Sequence, residues 1–291
     1  MHMKHRWKQL LLMPMAALLA ACSATDTPAD APDVPDAWAV SVSRAVTGGE
    51  DVTVALRFGT TTRYGTLRPS DTEGAKAAWV SEIPTWPEDA QTEVQAVAIS
   101  PAVSTLPATV DATDGIAWLV DAVNCNAGSK PDKFTLTHLM AMVEVHIRLH
   151  DEEKHHYEPT DATIGLHTTA TIDYARKCLT DASGYQSAFS LGSFSKESGS
   201  TDTDENWVNT PQIVVPQTFK AGEPCLRFVV HGHTYTFVPS EDIVLPAGQK
   251  TKLMLGAAYD EMKGESVTLM NISIADWTTD GTTLGGEAEK E

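Results

Sequence analysis

The chain has 291 residues and little that would support catalysis. It contains no GxSxG nucleophile elbow, no HExxH pair and no glycine-rich phosphate loop. Neighbouring acids such as Glu152 and Glu153 occur, but adjacency in sequence does not set two carboxylates across a scissile bond. No enzymatic activity, cofactor or metal site is therefore expected. Cysteine is scarce, with four residues in all. Beyond Cys22, the residues Cys125, Cys178 and Cys225 are widely spaced and form no CxxC, which excludes a zinc framework. Their odd number permits at most one bridge, and three unpaired thiols are the favoured alternative. No apolar run approaches the roughly twenty residues of a membrane-spanning helix. Long helical periodicity is missing too, although EGAKAAWVSE (73–82) has room for two or three turns. Cations are outnumbered, 21 Lys and Arg against 39 Asp and Glu, for a net charge of −18. The acids are spread along the chain, and such a field repels nucleic acid and anionic headgroups.

What is present begins at the N-terminus. Lys4, Arg6 and Lys8 precede a twelve-residue apolar run, Leu10 to Ala21, which has the length of a secretory signal's hydrophobic region. It ends Leu19-Ala20-Ala21-Cys22, which resembles the bacterial lipobox. That resemblance implies a signal peptide over 1–21 and acylation of Cys22 as the first mature residue. An ordinary signal with a chance cysteine is the alternative. Residues 22–36 carry three prolines and four aspartates, with Val34 the one large apolar residue. Such a segment cannot bury enough surface to fold, so it is read as a tether. The expected location is the outer membrane's surface, reached through a lipid anchor alone.

Past the tether, strand signals dominate. DVTVALRF, EVQAVAIS and LMAMVEVHIRL alternate apolar and polar residues, and the last does so over eleven positions. QIVVPQ, CLRFVV, TYTFVP, TKLMLGAAY and SVTLMNISIADW follow, separated by polar turns. Many short strands with polar turns imply an all-β fold of two tandem β-sandwiches. DEEKHHYEPTDAT (151–163) is charged and poor in apolar residues, which places the boundary there: one sandwich over 37–155 and a second over 156–291. SFSKESGSTDTDENW (193–207) reads as a long surface loop.

Several phrases resemble the fimbrillin family of surface lipoproteins, which build or cap type V pili. They are VALRFGTTTRYG, TWPEDAQTEVQAVAISP and FTLTHLMAMVEVHIRL in the first half, then VVPQ, VLPAGQKTKLMLGAAYD and ISIADW in the second. Their shared order over residues 50–280 carries the likeness. It implies transthyretin-like sandwiches and assembly with other fimbrial subunits by donor-strand exchange, with a host or bacterial surface ligand as a further partner. In that family an N-terminal strand fills a groove, is cut away after a basic residue, and is replaced by a neighbour's C-terminal segment.

The matching segment here is AWAVSVSR, with Trp38, Val40 and Val42 on one face as the displaced strand. Arg44 is the one basic residue between Cys22 and Leu56, so processing is expected between Arg44 and Ala45. The alternative is that this segment is the permanent first strand. On the donor side, Val267, Leu269, Ile272 and Ile274 form a candidate strand. Its apolar face switches between Leu269 and Ile272, which demands a bulge or a break. Either this strand swings out, or the subunit only accepts one and sits at a tip. Among histidines, His146, His150, His155 and His156 cluster near Glu144, but a solvated face is the preferred reading. His231-Gly232-His233 is read as a hairpin turn. The alternative function is a monomeric glycan-binding lipoprotein using Trp79, Trp86, Trp118 or Trp207 as sugar platforms, with Trp207 the most exposed.

Overall fold

The computed structural model describes residues 38–44, 50–72, 74–149, 157–197, 206–260 and 264–277. The expected signal, tether, acylated Cys22 and Ala45 lie outside the described residues, as do His150, His155 and His156. The fold is all-β, with one short 3₁₀ turn, Ala112–Asp114, among the described residues.

The first half comprises β1 (Ser41–Arg44), β2 (Val52–Phe58), β3 (Thr61–Arg68), β4 (Ala78–Trp79), β5 (Glu93–Ser100), β6 (Thr109–Asp111), β7 (Leu119–Asn126) and β8 (Lys133–His138). Seven of them make one sheet in the order β1-β8-β7-β5-β2-β3-β4. The sheet curls until its ends meet, because Ser41 bridges Lys76 and the Ala77 amide donates to the Val40 carbonyl at 2.8 Å. The helical turns expected over 73–82 are instead this short edge strand: Ala77 and Trp79 have a core to pack against and take the extended form. Both faces of β2 and β5 are covered. Val54, Leu56, Val94 and Ala96 fill the interior of the curl, while Ala55, Val97 and Ile99 face the second half. That two-sided burial explains the unbroken apolar run Ala96 to Ile99.

The second half comprises β9 (Ala141–Leu149), β10 (Thr160–Asp173), β11 (Cys178–Ser190), β12 (Phe194–Lys196), β13 (Asn206–Asn209), β14 (Gln212–Val214), β15 (Gln217–Phe219), β16 (Leu226–Val230), β17 (His233–Phe237), β18 (Ile243–Leu245), β19 (Gln249–Asp260) and β20 (Gly264–Asp276). One sheet runs β11-β10-β16-β17 and a second runs β12-β13-β9-β19-β20, with β14 also on β9. Val143, Val145, Ile147, Ile164, Phe228 and Leu253 pack between them. His231 and Gly232, both at positive φ, make the two-residue turn joining β16 to β17, as the glycine implied.

Two sequence expectations change here. The boundary drawn after residue 155 would leave β9 in the first sandwich. Its ladder partners are β13, β14 and β19, all from the second half, and β19 runs parallel to it over eight registered pairs. Periodicity marks a strand but not its sheet, so the first sandwich ends at β8. The expected loop 193–207 carries β12 and β13, which pair with each other and bury Phe194 and Trp207. Trp207 is therefore a core residue, 6% exposed, and no sugar platform. Trp86 and Trp118 are buried as well.

A third apolar cluster joins the halves, with Trp118, Leu139, Ile172, Val215 and Trp277 among its members. The far end of β10 adds backbone pairing across the junction, Thr169–Thr171 against Asp111–Thr109 of β6. Cys125, Cys178 and Cys225 are free thiols, and burial pushes the Cys225 thiol up to about 12.

Where β13 hands over to β14, the ladder along β9 is interrupted, and a side chain fills the gap. Asn209 Oδ1 accepts from the Val145 amide at 2.7 Å, and its Nδ2 donates to the Leu191 and Thr210 carbonyls. Replacing Asn209 by Ala takes the partner from the buried Val145 N–H and from the Leu191 carbonyl, while Gln212 still donates to Thr210. The expected cost is about 1–3 kcal/mol, read from urea unfolding of the wild type and the variant.

Candidate strand-exchange groove

Alternation decides what the N-terminal segment can do. In Trp38-Ala39-Val40-Ser41-Val42 the odd-spaced apolar residues share a face. The structure turns that face inward. Trp38 is 5% exposed and Val40 fully buried, while Val42 is half-buried against the same core. Trp38 sits in an aromatic nest, its ring centroid 4.9 Å from Trp86, 5.5 Å from Trp79 and 6.2 Å from Phe134. Its indole N–H donates to the Pro131 carbonyl at 2.6 Å, and the Trp79 indole donates back to the Trp38 carbonyl at 2.9 Å. Gly65 makes room for Trp79, because a Cβ there would lie 2.8 Å from its ring.

Backbone pairing holds the segment. β1 runs parallel to β8, Ser41 to Arg44 against Lys133 to Leu136. β8 meets its other neighbour, β7, at two registered pairs, Leu119–His138 and Val120–Thr137. Over 133–136, then, the registered partner of β8 is β1. The gap between β7 and β8 is spanned by Asp121, which is buried. Its carboxylate accepts from the Thr135 amide at 2.7 Å, from its neighbour Ala122 at 2.8 Å and from Lys177 Nζ at 3.0 Å. Lys177 belongs to the β10–β11 turn, so the second half helps to position β8. The Arg44 backbone is the last registered position of β1.

The candidate donor residues lie on β20, which pairs with β19. The face switch seen in the sequence is a bulge: Met254 pairs with Asn271 and Leu255 with Leu269, leaving Met270 as the extra residue. The bulge lets Val267 and Leu269 on one side and Ile272 on the other reach the same core. Ile274 is not gathered with them and stays 47% exposed. The strand ends on Trp277, whose amide donates to the Gly248 carbonyl at 2.9 Å. The Trp277 ring stacks on His138, centroids 4.1 Å apart and planes 8° from parallel. No local pattern marks this stack, because its partners lie far apart in the chain.

The histidines part company. His146, expected on a solvated face, is 4% exposed. Glu144, on β9 itself, and Glu197, just past β12, bring carboxylates over it: Glu144 Oε1 lies 2.7 Å from Nε2 and Glu197 Oε1 3.4 Å from Nδ1. Burial alone would raise the Glu144 carboxyl, but the hydrogen bond from His146 and the charge of Lys250 outweigh it and hold it at about 2. Lys250 Nζ reaches Glu144 Oε2 at 3.2 Å and completes an ion-pair network, and no metal-binding group occurs among the described residues. His138 is different. Burial lowers it to about 4, and neither ring nitrogen has a hydrogen-bond partner.

Two outcomes follow from this geometry. Trp38→Ala leaves a large void in the aromatic nest and should cost about 3–5 kcal/mol, measured by urea unfolding of the chain. On the acid side, His138 must stay neutral to fold. Its contribution is complete above its ordinary value of 6.5 and is lost as pH falls toward 4. Glu144 adds a second loss between 4.5 and about 2. A pH series of urea midpoints should decline over both intervals, and His138→Phe should flatten the first.

A fimbrillin-like family model matches residues 39–277, from the strand in the groove to the tryptophan that ends β20. Among solved structures, the chain is similar to a candidate cell adhesion protein from Bacteroides uniformis ATCC 8492, at 17% identity over 82% of this chain and 98% of that one, TM-score 0.51. A candidate cell adhesion protein from Bacteroides ovatus ATCC 8483 matches at 14% identity over 83% and 98%, TM-score 0.50. Identities of this size establish a shared fold. No curated protein matches. By the extent of the family match, the chain belongs to the fimbrillin-like family, a non-enzymatic family of cell-surface fimbrial proteins that associate with other fimbrial subunits.

Proposed function

We propose that this chain is a lipid-anchored fimbrial subunit that accepts a neighbour's strand in the groove now filled by residues 38–44. The observation that carries this reading is the seating of β1. A seven-residue segment next to the tether supplies backbone pairing to β8 and two buried side chains to the core. Its removal would leave β8 without a strand partner over 133–136 and open a slot between Trp79, Trp86 and Phe134. A strand with large alternate side chains would fill both.

In this reading Cys22 carries the acyl chains and holds the chain at the outer membrane until a cut between Arg44 and Ala45 frees it. The cut releases the anchor and the strand together. The donor side is weaker. β20 is registered against β19 over twelve pairs and pinned at its end by Trp277. Extracting it would strip Val267, Leu269 and Ile272 from the second core. We infer that the subunit accepts without donating β20, which suits a tip or accessory position.

The test is cleavage and complementation. Surface material should begin at Ala45 by N-terminal sequencing, and unheated gels should show this chain in species larger than a monomer. A purified chain cut at Arg44 and freed of residues 22–44 should lose thermal stability and regain it on addition of the peptide AWAVSVSR. A mature N-terminus at Cys22 in assembled material, or a cut chain as stable as the intact one, would refute the proposal.

A further inference from the structure

The outward face of the first sheet changes character along its strands. Ala55 and Val97 are covered by the second half, but one step further along the same face stand Arg57 and Gln95, registered partners on β2 and β5. Thr62 and Tyr64 continue that face on β3. Opposite them rises the end of the β10–β11 hairpin, with Thr171, Asp173 and Thr180, and Leu106-Pro107-Ala108 closes one side. Together they bound an open cleft of about 710 Å³ between the two sandwiches. That lies within the range of small-molecule sites, roughly 300–1,000 Å³.

The walls are held in place by contacts within each half and by Tyr174, which crosses the junction. Arg57 Nη1 donates to Gln95 Oε1 at 2.9 Å, and its guanidinium lies 5.8 Å from the centre of the Tyr174 ring. The Tyr174 hydroxyl donates to the Pro107 carbonyl at 2.7 Å. Asp173 Oδ1 accepts from the amides of Ala175 and Arg176, which fixes the turn. Arg57 and Tyr64 are nonetheless exposed, and one guanidinium N–H of five is spent on Gln95.

We propose that this cleft binds a saccharide. Three threonine hydroxyls, a tyrosine, an amide, a guanidinium and a carboxylate make a lining rich in both donors and acceptors. A ligand that satisfies such a set must itself carry hydroxyls at many positions and an apolar ring face for Tyr64. A lipid would leave the polar groups unpaired. A polyphosphate would meet a single cation in the field of a chain of net charge −18. This assignment replaces the tryptophan platforms of the alternative sequence reading, which the fold buries or turns toward the core. It does not rest on strand exchange.

The probe is a printed panel of neutral and sialylated oligosaccharides, read with the full chain. Wild type should be retained on at least one glycan. Arg57→Ala and Tyr64→Ala should each weaken that retention at least tenfold, and Lys220→Ala, at a distant surface ion pair, should leave it unchanged. Thr180→Trp fills the cleft without touching Arg57 and should also abolish retention, which covers the case of a misfolded Arg57 variant. Circular dichroism checks each fold. Wild type that binds no glycan on the panel, or cleft variants that bind as well as wild type, would overturn the proposal. Larger species on unheated gels should persist in all four variants, separating this outcome from any failure of assembly.

Discussion

The pairing of β1 with β8 is the contact on which the first sandwich closes. Every buried N–H and C=O needs a partner, and an edge strand that lacks one is a template for another chain. β8 drifts away from β7 after two registered pairs, so its outer half must find partners elsewhere. One is a side chain, Asp121, which supplies the acceptor that β7 does not. The rest come from residues 41–44. A segment at one end of the folded body thus does the work of an interior strand. It also plugs the core with an indole, so the backbone and side-chain demands are met by the same few residues. This economy makes the segment replaceable in principle by any strand with the same alternation.

The two halves are coupled by more than a linker. An apolar cluster lies between them, β6 of the first half extends a sheet of the second, and Lys177 reaches across to Asp121. The His138–Trp277 stack ties the last residue of β8 to the last described residue of the chain. The strand that accepts pairing and the strand that ends the second sandwich therefore converge on the same junction. A load carried along such a subunit would pass through packed side chains and not through a flexible joint. The cleft near Arg57 lies at this junction too, and its walls come from both halves.

Charge plays a different part. Where acids are buried they are matched, as Asp121 is by Lys177 and Glu144 by His146 and Lys250. The acids spread along the sequence oppose contact with other anionic surfaces.

Much of this was legible in the chain itself. Period-two alternation is local, so strands such as β2, β5, β9 and β20 could be read directly, as could the inward face of Trp38, Val40 and Val42. The bulge at Met270 followed from a switch of face within one strand, and the turn at His231-Gly232 from a glycine between two apolar runs. Pairing is not local. Nothing in LMAMVEVHIRL says that its neighbours are β13, β14 and β19, so its sequence alone does not show to which half it belongs. The burial of Trp207 and His146 depended on which strands came to lie beside them, and the Asp121–Lys177 and His138–Trp277 contacts join positions far apart in sequence. Sequence alone determined which residues are strands and which side of each strand is apolar, because side-chain alternation needs no partner. Tertiary structure decided which strands meet, which polar side chains mend the gaps between them, and where a cleft is left open, because hydrogen-bond partners and packing neighbours exist only once the chain has folded.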